Sequence, residues 1–482
     1  MPDPRRRLAS DLGCLLDCDL ATGLTVAGTP ATDNTALLNA FLATATATHP
    51  VSLVLDGPSL TTGLLINGGH TTIEGIGPDS GLFLKPGSNA HVIRNHPDMQ
   101  GDPGPGHIAP TRSNFGITVR NLRINGNRGT GTTGNTNTGI TYDNAGKTML
   151  YGISLVQTTA VWLEDLILLD FTTYAVTLSN CGTVVCRNLH ITTPRDRNTD
   201  GIHFNGPASD IHITDCFFQT GDDAIALNAP EGFGGPIDRV AISNCIFNHA
   251  PTCIRIYGCA YPPISYPVSD VIIANCTGVV ENTPFMIGFQ RSAPLDTIQF
   301  LQASNCALGA SYWATLNESC GVLNFQNNTW DSPTHPGFFL WIPLAVTLSS
   351  VILSNCHIYR SSRGSAPASG LHAADAARGS VIRKLSIEGF AIENEAGQTF
   401  PPIPFLLDTS NVTIDELFIG SLDPANITAL AHNFKGINRI SGPGVLATGF
   451  PIPDHVMADN TPFLSADTGN PSIKLQGKVR KL

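Results

Sequence analysis

Asp200, Asp222 and Asp223 are the side chains of this sequence best placed for acid–base chemistry. Asp200 lies in Asn198-Thr199-Asp200-Gly201 and the pair follows in Gly221-Asp222-Asp223, with Asp200 and Asp223 separated by 23 residues. Carboxylates crowded together cannot all ionise at their ordinary pKa, so one keeps a proton as an acid while another is left as a base. Cleavage of a glycosidic bond is one reaction that needs such a pair. Two plainer readings compete: aspartates that end strands at turns, and a calcium site. The shared phase of Asp200 and Asp223 favours the acid–base pair over both, and we expect neither metal nor cofactor.

The elements that must position these carboxylates are short and repetitive. The chain returns to a pattern of alternating apolar residues, then Asn or Asp, then Cys or Leu, as in Val161-Trp-Leu163-Glu-Asp165-Leu166, Ile211-His-Ile213-Thr-Asp215-Cys216 and Val240-Ala-Ile242-Ser-Asn244-Cys245. The Asn/Asp positions 165, 188, 215, 244, 275 and 305 step by 23, 27, 29, 31 and 30 residues. Alternation means strand, and a repeat too short to enclose a core means stacked β-coils sharing one interior. The recurring Asn121, Asn188, Asn244, Asn275 and Asn355 are expected to form a buried, hydrogen-bonded ladder at the coil corners. Stacked neighbours lie about 4.8 Å apart, so the three aspartates should gather on one patch of the outer surface.

Composition agrees with an all-β chain: 482 residues carry 47 Gly, 34 Pro and only 13% charged residues. A net charge of −11 argues against nucleic acid or an anionic membrane as partner. Asp33-Asn34-Thr35 ahead of Leu37, Leu38, Phe41 and Leu42 predicts a capped amphipathic helix covering the open end of the stack. We therefore expect an N-terminal segment with its capping helix over 1–48, a parallel β-coil domain over 49–441 and a tail over 442–482. Asp11, Asp17 and Asp19 interrupt any apolar run near the start, and no signal peptide is expected there. The 12 cysteines, several at one inward phase, are expected to behave as small buried hydrophobes. Only Cys14 with Cys18 and Cys253 with Cys259 invite a test for bridges.

Asn198-Thr199-Asp200-Gly201 followed by Gly221-Asp222-Asp223-Ala-Ile-Ala-Leu-Asn228 resembles the first two signatures of the polygalacturonase-type glycosidases, glycoside hydrolase family 28. The resemblance implies a right-handed parallel β-helix and an inverting glycoside hydrolase acting on a pectic or other polysaccharide, outside the cell or in the periplasm. It implies Asp222 as general acid and Asp200 with Asp223 as the pair that activates water. Motif identity covers about residues 195–258. Where the family carries Gly-His-Gly this chain has Pro251-Thr252-Cys253, and Arg255-Ile256-Tyr257 matches only the start of the family's Arg-Ile-Lys. His203 and His249 are near enough in sequence to stand in for the missing histidine. Asn198, His203, Asn228, His249, Thr252, Arg255 and Tyr257 are the candidate substrate-binding residues.

No lysine occurs between Lys147 and Lys384; Arg195, Arg197, Arg255 and Arg291 are enough for one or two uronates, and a long pectate chain is less expected. This widens the expected substrate to a neutral or mixed glycan. Tyr257, Tyr261, Tyr266, Trp313 and Trp341 are candidate stacking platforms for sugar. Two other functions fit the same scaffold: a polysaccharide lyase or uronate epimerase, and a glycan-binding β-helix of tail-spike or adhesin type without turnover. Oligomeric state is open.

Overall fold

Strands that alternate apolar and polar residues bury one face only, and here they do so by stacking in parallel register. The computed structural model describes residues 5–96, 112–129, 134–136, 149–194, 198–261, 264–288, 297–331, 338–361, 369–373, 379–432, 434–444 and 449–451. The chain divides into two compact units, Met1–Pro267 and Val268–Leu482. In the first, Leu53, Ile73, Val119, Leu163, Cys186, Ile213 and Ile242 are successive register partners in parallel strands. Each is at most 1% exposed. Ile273, Ala303, Phe325, Leu353, Ile387 and Ile419 form a corresponding column within the second unit. Fully burying one such aliphatic or aromatic side chain contributes about 1.5–3 kcal/mol. The fold is all-β with parallel β-helix-like coils.

One wall of the first unit carries the motif residues. It is built from β1 (Ile153–Val156), β2 (Val176–Thr193), β3 (Ile202–Thr214), β4 (Asp223–Asn228) and β5 (Thr252–Tyr257). Leu155, Leu178, Phe204, Leu227 and Ile256 stack in register with no exposed surface. The neighbouring phase holds Ser154, Thr177, His203, Ala226 and Arg255, and the next outward phase pairs Asn205, Asn228 and Tyr257. Period-2 alternation thus sets polar side chains of three successive coils side by side.

The asparagine ladder exists, but burial does not explain it. Asn121, Asp165, Asn188, Asp215, Asn244, Asn275, Asn305, Asn327 and Asn355 all adopt φ between 50° and 57°, and all are exposed. Asn and Asp tolerate this left-handed conformation best among residues with a Cβ. Side chains then link successive corners, with Asn188 Nδ2 donating to Asp165 Oδ1 at 2.8 Å and Asn355 Nδ2 to Asn327 Oδ1 at 3.1 Å. The corner selects these residues for their backbone, and solvent meets the other side of the ladder. All 12 cysteines are buried, as expected of small core residues, and no bridge joins Cys14 to Cys18 or Cys253 to Cys259.

The helix α1 spans Thr35–Leu42 and buries Leu38 and Leu42. Asp33 Oδ1 accepts from the Thr35 N–H at 3.1 Å, whereas Asn34 turns inward to Leu15 and Ser59. Asn39 accepts from the Leu65 N–H at 2.8 Å and donates to the Gly63 carbonyl at 3.1 Å. The tail predicted from 442 falls outside the described residues from 452 on, and the insertion Gly126–Gly146 is described only at 126–129 and 134–136.

Candidate active site

Each residue of Asn198-Thr199-Asp200-Gly201 has its own task. Asn198 adopts φ 64°, and its backbone N–H donates to Asp222 Oδ2 at 2.9 Å. Thr199 is fully buried, and its Oγ1 accepts from the Gly221 N–H at 3.0 Å. A Cβ at position 201 would stand 2.4 Å from the Ala224 carbonyl oxygen and 2.7 Å from the Phe218 ring, so only glycine permits this approach of coils. The Gly201 N–H can then donate to the Asp223 carbonyl at 3.0 Å, bringing Asp200 beside the Asp222-Asp223 pair.

One oxygen from each of Asp200, Asp222 and Asp223 lies within 4.8 Å of the others. The expected gathering is found, but on a less open patch than expected: Asp200 and Asp223 are each only 3% exposed, and Asp222 is half-buried. Asp200 and Asp223 share the strand parity of the buried Ile202 and Ile225, which draws them inward at the start of β3 and β4. Asp222 has the opposite parity.

Two basic side chains answer the two buried carboxylates. Arg255 Nε stands 2.6 Å from Asp223 Oδ2. His203 places Nδ1 2.7 Å from Asp200 Oδ2 and Nε2 2.8 Å from Glu231 Oε2. Among the described residues, no cation lies within ion-pair distance of Asp222. Burial raises Asp200 to about 6 against the pull of its His203 hydrogen bond. Burial likewise lifts Asp223 well above the ordinary carboxylate range, and the adjacent guanidinium only partly offsets it. For His203 burial opposes the charge, but hydrogen bonds to Asp200 and Glu231 outweigh it and raise the imidazole to about 10. Protons on carboxylates this close belong to the set, and the set retains one where an isolated aspartate would be ionised.

Around this core, Asn228 Nδ2 donates to Glu231 Oε2 at 3.1 Å and lies 3.2 Å from His203 Nε2. The Tyr257 hydroxyl donates to Glu231 Oε1. Tyr174 stacks on the His203 ring at 4.1 Å and 4°. Asp223 Oδ1 and Asn228 Oδ1 are buried acceptors with no donor among the described residues, an arrangement that suits ligand hydroxyl groups.

The structure thus brings together Asp200, Asp222, Asp223, Asn198, His203, Asn228, Arg255 and Tyr257. Thr252 is buried opposite Asp223 in register, at the place where the resemblance called for histidine. His249 does not join them: it is an exposed corner residue with φ 57°, and no hydrogen bond or ion pair links it to the carboxylates. Tyr257 and Trp313 are buried, so neither presents a ring face to solvent. Trp341, in the second unit, is half-buried and stacks on Tyr312 at 4.3 Å. Tyr266 is half-buried beside Gly234. Arg195, Arg197, Arg291 and the Tyr261 side chain fall outside the described residues. Glu231 was missed by the sequence reading, although it is the one glutamate between Glu164 and Glu281.

Residues 110–250 match the profile of the glycosyl hydrolases of family 28. A polygalacturonase of Nicotiana tabacum is 29% identical over 118 residues, covering 24% of this chain and 27% of the tobacco protein. The chain therefore spans about a quarter of the length of that curated relative. Among solved structures, the family 28 exopolygalacturonase of Yersinia enterocolitica aligns with a TM-score of 0.58 at 13% identity, over 87% of this chain and 78% of the other. The tailspike protein of E. coli bacteriophage HK620, solved with a pentasaccharide, also reaches 0.58, at 10% identity over 89% and 78%. The Streptococcus pneumoniae surface adhesin PfbA gives 0.51 at 10% identity over 85% and 93%. At these identities the structural neighbours speak to the fold.

Proposed function

We propose, on the premise that this chain is a divergent relative of the glycosyl hydrolases of family 28, that it hydrolyses glycosidic bonds in a pectic or related polysaccharide. The observation that carries the reading is the division within the carboxylate cluster: Asp200 faces the His203 imidazole and Asp223 the Arg255 guanidinium, and among the described residues no basic group faces Asp222. Asp222 is also the least enclosed of the three. It donates the proton to the departing glycosidic oxygen, while Asp200 and Asp223 orient and deprotonate the attacking water. Asp223 Oδ1 and Asn228 Oδ1, which have no donor among the described residues, accept hydrogen bonds from water or sugar hydroxyls. The finer fold reading accompanies this function, with right-handed coils, α1 capping the first of them, and action outside the cytoplasm where polymeric glycans are met.

Inversion at the anomeric carbon is the stereochemical course we assign. The cluster favours a second reading on one point, because inverting pairs generally stand about 6.5–9.5 Å apart and these oxygens lie within 4.8 Å. We hold to inversion because two carboxyl groups, Asp200 and Asp223, flank the water position and replace the single distant base assumed by that rule. Reducing-end release from pectic, galactose-containing and rhamnose-containing glycans identifies a substrate, and proton NMR of the first product assigns its anomer. Asp222→Asn keeps the shape and removes the proton donor, so kcat should fall by roughly 1,000-fold with a smaller change in KM. Hydrolysis at the wild-type rate would overturn the assignment of the acid, and a retained anomer would overturn inversion.

A further inference from the structure

His203 lies between two carboxylates, one on each ring nitrogen. A neutral imidazole has one N–H, so it can donate to only one of them and must set a lone pair against the other. With Asp200 and Glu231 both ionised, the two contacts, at 2.7 and 2.8 Å, are satisfied together only when both nitrogens carry protons, and the Asn228 amide 3.2 Å from Nε2 then donates to Glu231 rather than to the ring. Glu231 is itself held in place. The turn after β4 is closed by the Glu231 N–H donating to the Asn228 carbonyl at 3.2 Å and the Gly234 N–H donating to the Glu231 carbonyl at 3.0 Å. Tyr257 and Asn228 donate to separate oxygens of its carboxylate. The flat contact with Tyr174, at 4.1 Å, opposes rotation of the His203 ring.

We propose that Glu231 is a positioning residue, which fixes His203 as a doubly protonated cation and through it aims the ionised Asp200 carboxylate at the reacting water. His203 then does not replace the histidine absent at Thr252 as a proton carrier; it is a fixed charge. Its link to catalysis rests on the hydrolase reading, and its charge state on geometry alone. The groups facing His203 from the packed elements are Asp200 and, beyond it, Asp222 ahead of β3 and β4, Asp223 on β4, Glu231 on the following turn, Arg255 and Tyr257 on β5, and Tyr174 ahead of β2. The carboxylates favour the charged imidazole and Arg255 opposes it.

The test is nitrogen-15 NMR of the imidazole rings in the full chain, with His203→Gln providing the assignment. Both ring nitrogens of His203 should stay protonated from about pH 5 to 9, a window across which an ordinary histidine loses a proton. In Glu231→Gln the ring should lose a proton within that window. Its kcat should fall about tenfold at the acid end and about 100-fold at the alkaline end, with KM changing less. Should Glu231→Gln fail to fold, Tyr257→Phe loosens the same carboxylate and should lower the titration midpoint in the same direction. Wild-type His203 titrating as an ordinary histidine would overturn the proposal, as would an unchanged imidazole spectrum in both variants. A charged imidazole in a chain that cleaves no glycan would count against the hydrolase and leave the clamp standing.

Discussion

The two buried aspartates are held by cations of different chemistry, and the difference sets how each responds to pH. Arg255 stays charged at every working pH and is pushed further that way by Asp223, Asp222 and Asp200, although burial opposes it. His203 keeps its charge into the alkaline range only through its contacts with the Glu231 and Asp200 carboxylates. Arg255 lowers Asp223 from the level that burial alone would set. Removing the guanidinium must therefore raise Asp223 further and hold the proton on the cluster to higher pH. Since the base form is the ionised one, activity in wild type should fall as pH drops through about 6, where Asp200 takes up its proton. In Arg255→Met that acid limb should move to higher pH, with kcat lower by roughly 100-fold at pH 6. Arg255→Lys should restore part of the loss by returning the charge without the fork. Superposable pH profiles for wild type and Arg255→Met, both folded by circular dichroism, would show that Arg255 has no electrostatic hold on the cluster.

Coil corners are the element on which this architecture depends, and they make a prediction separable from the active site. Asn188 combines φ 51° with a side-chain bond to Asp165 at 2.8 Å. Alanine there should cost about 1–2 kcal/mol for the left-handed backbone, plus the lost bond. Glycine should cost less than alanine, because it loses the bond but adopts the conformation freely. Urea unfolding of the two variants checks the order, and alanine no worse than glycine would mean the corner is not set by its backbone. The ladder, the parallel register and the meeting of Asp200 with Asp223 were legible in the sequence because strand parity and coil period follow directly from residue order. The exposure of the ladder was not, since the same letters serve buried and solvated corners alike. Glu231 was not legible for a different reason. It sits in the Ala229–Pro236 turn, and Gly232 and Gly234, with φ 65° and 68°, aim it back at His203 in a way no periodicity encodes. The inward draw on Asp200 and Asp223 could have been read from their parity with Ile202 and Ile225, a signal present but outweighed by their charge.

Across the whole chain the charge balance bears on the substrate rather than on the bond-breaking step. The net charge is −11, and no lysine lies between Lys147 and Lys384, a stretch that includes the whole carboxylate cluster. Among the described residues, Arg255 is the arginine within ion-pair reach of the cluster, and it is already committed to Asp223 at 2.6 Å. A polyuronate would thus meet like charge with few cations to pair its carboxylates, whereas a neutral or mixed glycan would not. Salt tells the two apart. Raising NaCl from about 0.05 to 0.3 M shortens the screening length to below 10 Å, so kcat/KM on polygalacturonate should rise as repulsion is screened. On a neutral galactose- or rhamnose-containing glycan it should stay flat. A steep fall with salt on polygalacturonate would instead reveal a cationic cleft, and would return the substrate to a long uronate chain despite the missing lysines.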